Sequence, residues 1–207
     1  MFDLDPQSIV ERVKASGAPA RIPSLGASVA RGVVGFTVLS VAGFLPWVVG
    51  LGKRIGTGGM YAACAVVFIG LCGPLLHRLI VGPGSLSRFY KLFGPGFALY
   101  AAAWVGAYMT LKGHLGGVVG LLAGTAVMGG LFAVAFDERR GALPSILALF
   151  VLNVAGYYLG WGVERAVVKT SLPAAMLLYG VCYGAGFGAG LGLAFHFCQK
   201  SVRTLLG

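Results

Sequence analysis

The side chains able to carry chemistry are few: three histidines, four cysteines and six acidic residues in 207. None of the acids (Asp3, Asp5, Glu11, Asp137, Glu138 and Glu164) falls mid-span in the apolar runs described below, and neither does any Lys or Arg. Proton relays, ion pathways and voltage sensors use ionisable residues inside the membrane, so a proton-coupled transporter or pump is disfavoured. An intramembrane aspartyl protease needs paired acids, and a metalloprotease needs HExxH; the sequence has neither. A rhomboid-like serine protease needs a serine in the fourth apolar run. That run has none, which leaves His196 without a nucleophile of that pattern.

His77, His114 and His196 stand near run ends on different sides, so they make no two axial pairs for a pair of b-type haems. They read as polar end groups. Cys64, Cys72, Cys182 and Cys198 lie in or beside apolar runs and form no CxxC; each reads as a small hydrophobe rather than part of a redox or zinc pair. Gly82-Pro83-Gly84 and Gly94-Pro95-Gly96 have no following Lys-Ser/Thr. They are turn and kink signals at the second connection and the start of the third helix, not phosphate loops. Asn153 is the most polar residue at depth, with two readings: a bond to an adjacent helix, or a contact to a ligand or pigment. Asp137-Glu138-Arg139-Arg140 reads as a solvated turn whose charges pair locally, worth about 0–1 kcal/mol each, and as a cytoplasmic docking candidate.

Composition says what must position these groups. The chain is 57% apolar and 11% charged, with a mean hydropathy of +0.87. A soluble domain is nearer half apolar and roughly a quarter charged. Too few charges remain to cover a soluble surface, so the expected fold is an all-α polytopic membrane protein. Six runs are long enough to span, about 32–52, 59–76, 92–111, 115–136, 143–163 and 172–197; about 20 helical residues cross the hydrocarbon. Short connections make sequential helices antiparallel neighbours, as three hairpins.

Residues 1–31 form the one long polar segment. Asp5 followed by Pro6 is a helix start, and Ile9, Val10 and Val13 share a face. The result is a short amphipathic helix, ended by Pro19 and Pro23, lying on the membrane surface or on the protein's own helix ends. Residues 32–198 are the transmembrane domain and 199–207 a short cytoplasmic tail. The formal charge is +10. One side holds Arg12, Lys14, Arg21, Arg31, Arg78, Arg88, Lys91, Arg139, Arg140, Lys200 and Arg203; the other holds Lys53, Arg54, Lys112, Arg165 and Lys169. This eleven-to-five asymmetry puts both termini in the cytoplasm, and the expected location is a bacterial inner membrane. Anionic lipid head groups are expected partners; scattered basic residues argue against nucleic acid.

Trp47, Trp104 and Trp161 are 57 residues apart, and Phe36, Phe93 and Phe150 repeat the spacing. A triplicated hairpin explains this; so does the preference of Trp for the membrane interface, with each as an anchor. Glycine is 35 of 207, about 17% against roughly 7% on average. Gly180, Gly184, Gly188 and Gly192 recur every fourth residue, with Gly186 and Gly190 on another face; Gly116, Gly120 and Gly124 form a second row. Such rows let helix backbones approach closely. They serve packing within the chain, a lateral interface with another subunit, or a narrow pore.

The expected function is a non-catalytic integral membrane subunit packing laterally through these faces, against other subunits or itself. The alternative is a small oligomeric channel or facilitator for a neutral or weakly charged solute; an intramembrane lipid-modifying enzyme ranks last. No cofactor is called for, with bound lipid or pigment left open.

Overall fold

The computed structural model describes residues 2–17 and 22–207. Pro19 and Arg21, invoked above as a helix stop and a cytoplasmic cation, lie outside them. The described residues form eight α-helices: α1 (Pro6–Ala15), α2 (Leu25–Val48), α3 (Gly52–Leu76), α4 (Ser85–Leu111), α5 (Gly113–Ala135), α6 (Ala142–Val167), α7 (Leu172–Cys198) and α8 (Lys200–Leu206). Six of them, α2 to α7, are long and apolar enough to cross a membrane.

The helices start where the capping chemistry places them. Asp5 accepts from the Ser8 backbone N–H at 2.9 Å, with Pro6 in the first turn of α1. The Ser8 hydroxyl and N–H hold the Asp5 carboxyl below its usual range. Ser24 caps α2 at the Ala27 N–H. This cap starts α2 seven residues before the apolar run at Gly32, so Arg31 belongs to the helix and not to a separate polar segment. The third span also begins earlier than its hydropathy indicates. The buried face of α4 runs through Ser85, Phe89, Leu92, Phe93, Gly96 and Tyr100, a helical stripe that carries straight through Gly94-Pro95-Gly96. Continuous burial along one face overrides the local proline signal. In α3 the break is real: Gly56, at φ 73°, interrupts the helix in a conformation that favours glycine.

α7 is the hub and presents three faces. Gly180, Gly184, Gly188 and Gly192 meet α2, Gly186 and Gly190 meet α6, and Phe187, Leu191 and Phe195 point to the interior. α2, α7, α6, α5 and α4 adjoin in that order, and α3 leans on α2. α3 and α4, neighbours in sequence, touch sparsely. One end of the interior is filled by phenyl rings. Phe195 lies 4.8 Å from Phe132, 6.1 Å from Phe89 and 6.0 Å from Phe136, centroid to centroid.

The termini are packed together. α1 rests on α8 and buries Ile9, Val10 and Val13. Of the two resting places considered for this amphipathic helix, it takes the protein's own helix ends. Residues 199–207, expected as a tail, are instead a folded element with Val202 fully buried. Buried polar bonds account for this. The Gln199 carboxamide accepts from the Val81 N–H and donates to the Leu79 carbonyl, each at 2.8 Å, and donates to Phe195 at 2.9 Å. Glu138, expected in a solvated turn, is buried. Its carboxylate accepts from the Ser201 N–H at 3.2 Å and from the Ser201 hydroxyl, so an exposed first turn of α8 finds its acceptor there.

Candidate functional site

A cleft lies where α3 and α4 fail to close. Its volume is about 670 Å³ and its walls are almost wholly apolar. α3 supplies Tyr61, Cys64, Ala65, Phe68 and Cys72; α4 supplies Gly94, Phe97 and Ala98 among others. The floor is aromatic: Phe68 stacks on Phe97 at 4.5 Å and meets Phe36 edge-on at 5.8 Å. At one end Trp47 and Tyr61 meet at 5.4 Å.

The other end is closed by Tyr90. Its ring sits over Gly73, where a Cβ would collide with it, and its hydroxyl donates to the Gly70 carbonyl at 2.9 Å. Gly70 is four residues before Pro74, which lies inside α3. Proline has no N–H to donate to that carbonyl, so the tyrosine takes up the acceptor the proline leaves free. Neither residue was singled out in the sequence. The signal was present in part, because any mid-helix proline frees one carbonyl, but the donor comes from another helix.

The glycine rows are occupied within the chain. A Cβ on Gly188 would strike the Gly32 carbonyl, one on Gly192 would strike that of Ser28, and one on Gly184 would stand 2.7 Å from the Thr37 Cα. At Gly180 it would meet the Phe44 ring at 3.0 Å. The α5 row faces α4: Gly116, Gly120 and Gly124 would bring a Cβ to 3.1, 2.9 and 2.6 Å from Tyr108, Trp104 and Tyr100. These seven glycines are therefore not open to a neighbouring subunit and do not bare backbone to a pore. Close backbone approach inside the bundle has already used them. Of the three roles such rows can serve, packing within the chain is the one these contacts fit.

The three tryptophans occupy different surroundings. Trp47 is one residue from the end of α2 and pairs with Tyr61. Trp104 is seven from the end of α4, stacked on Tyr108 at 5.3 Å, with its indole N–H buried and unpartnered. Trp161 lies under the Arg165 guanidinium at 4.0 Å and against His114 at 5.4 Å. Phe36 and Phe93 are buried in the core, whereas Phe150 is only partly buried. The 57-residue spacing is thus not matched by equivalent packing around these six residues.

Asn153 is fully buried and donates to the Tyr100 hydroxyl at 2.8 Å, tying α6 to α4; its Oδ1 has no hydrogen-bond partner. The histidines stay apart: His77 bonds the Ser85 hydroxyl at 2.8 Å, His114 lies among rings, and His196 packs beside Phe197. Among the described residues, no three of His, Cys, Asp and Glu gather as a metal site. A smaller cavity of about 170 Å³ is lined by Tyr108, His114, Tyr157, Tyr158 and Trp161. Compared with family models, with curated proteins and with solved structures, the chain matches none of them.

Proposed function

We propose that the protein is a non-catalytic integral membrane subunit that packs laterally against another membrane protein, and that it does so through the outer face of α3. The observation that carries this is a four-residue row on α3 that no other helix of the chain covers. Gly58, Ala62, Val66 and Gly70 recur every fourth residue on α3, and all four are exposed. Nothing approaches a Cβ on Gly58 or Gly70 within 4 Å, while Val66 is 71% exposed. Lipid tails are as apolar as leucine, so helices associate in a bilayer through close packing on small residues. The rows on α5 and α7 have their partner helices inside the chain. The row on α3 is less uniform, with Val66 among its small residues, but no helix of the chain packs on it.

The non-catalytic part of the reading rests on the sequence, which has no HExxH, no serine in the fourth span and no intramembrane acid. A solute facilitator is less well supported, because phenyl rings fill one end of the interior between the helices. The basic asymmetry supports cytoplasmic termini, and the location we propose is a bacterial inner membrane.

The test is gentle-detergent purification with mass spectrometry of co-purifying proteins, for the native chain and for Ala62→Leu and Gly70→Leu. The native chain should carry a membrane partner in fixed stoichiometry. The variants should fold with unchanged thermal stability and lose it. A native chain found only as a bare monomer, or variants that keep the partner, would sink the proposal.

A further inference from the structure

We infer that the α3–α4 cleft is a lipid site holding one acyl chain of an anionic phospholipid, with the phosphate at Lys53 and Arg54. The cleft extends along α3 from Tyr61 to Cys72, about 16 Å at 1.5 Å per residue. That is roughly half of a ~30 Å hydrocarbon core, the depth of one leaflet. Its volume of about 670 Å³ falls in the ~300–1,000 Å³ range of small-molecule sites. The length and the apolar lining suit a hydrocarbon chain. Apolar walls keep water out.

The two ends of the cleft differ in a way that orients the chain. At the inner end, Tyr90 on Gly73 shuts the passage. At the other end Trp47, one residue from the end of α2, pairs with Tyr61 of α3; tryptophan at a helix end sits at the level where aromatic side chains meet head groups. The first turn of α3, which follows the α2–α3 turn next to Trp47 in sequence, bears Lys53 and Arg54, both exposed. An acyl chain entering there lies on Phe68 and Phe97 and ends near Tyr90, and its phosphate meets two cations. Gly58, Ala62, Val66 and Gly70 do not line the cleft; the Gly70 carbonyl holds Tyr90 at its inner end, so Ala62→Leu is the variant that separates the partner face from this site.

Native mass spectrometry of the full chain, delipidated and then supplied with dioleoyl phosphatidylglycerol or dioleoyl phosphatidylcholine, tests the inference. The native chain should retain a single phosphatidylglycerol after detergent dilution and release phosphatidylcholine. Each basic residue near a membrane surface contributes about 1 kcal/mol toward anionic lipid, so Lys53→Gln with Arg54→Gln should lower retention roughly tenfold or more. Ala65→Phe and Ala98→Phe fill the cleft from opposite walls and should abolish the adduct without lowering the unfolding temperature. Either variant suffices if the other does not fold. A native chain that retains no lipid, or that holds both lipids equally, overturns the inference; so does a folded Ala98→Phe protein that still carries the adduct. The native-chain result stands whatever happens to the variants, and loss of a partner protein in the α3 variants leaves it untouched.

Discussion

Gln199 shows what a single buried amide does in a chain with few polar groups. Its side chain satisfies the Val81 N–H and the Leu79 carbonyl in the α3–α4 connection, and the Phe195 carbonyl at the end of α7. At 2% exposure it has no water to fall back on. Leaving a buried backbone donor or acceptor unsatisfied costs about 1–3 kcal/mol per group. Gln199→Leu should therefore lower stability by about 2–4 kcal/mol, measured by reversible unfolding in mixed micelles. A loss under about 1 kcal/mol would mean that water or lipid head groups replace the amide. Asn153 is the contrasting case. One of its groups is bonded and one is not, and bonds between helices in a bilayer average only about 0.6 kcal/mol.

At the scale of helices, glycine does two unlike jobs in one sequence. On α7 it permits backbone contact on two sides at once. On α5, Gly130 meets nothing within 4 Å. The expected outcome separates them with the smallest possible change. Gly188→Ala puts a methyl group against the Gly32 carbonyl and should destabilise by about 1–3 kcal/mol, the usual range for overpacking. Gly130→Ala should be neutral or stabilising by up to about 1 kcal/mol, because glycine in a helix interior is the weaker helix former. Thermal unfolding of the two variants side by side checks this. Equal effects would place the α2–α7 crossing further apart than described.

For the whole molecule, the packing of α1 on α8 places both termini on one side of an even number of spans. In the orientation we propose from the positive-inside asymmetry, that side is cytoplasmic. Lys14→Cys and Lys200→Cys should resist a membrane-impermeant thiol reagent in intact cells, and Lys169→Cys should react. All three positions are exposed. Labelling of position 14 or 200 from outside would invert the topology and move Lys53 and Arg54 to the cytoplasmic leaflet.

Residue order alone determined the class of fold and the number of spans, because a bilayer accepts only helices from a chain this apolar. It also determined the start of α1 at Asp5 and Pro6 and the two small faces of α7, since caps and four-residue spacing are local properties. Helix limits were less legible. α4 reaches back to Ser85 and α8 replaces a tail because burial of Phe89 and Val202 rewards helix where hydropathy alone does not. The partners of the glycines lay beyond the sequence altogether. A row on one helix says that something comes close, and only the packed bundle shows that α2, α4 and α6 do. The same holds for the cleft. α3 and α4 adjoin in sequence, and nothing in either marks them as the consecutive spans that part. Tertiary packing decided it, because α2 closes on α7 and the side chains left over on α3 do not fill the gap.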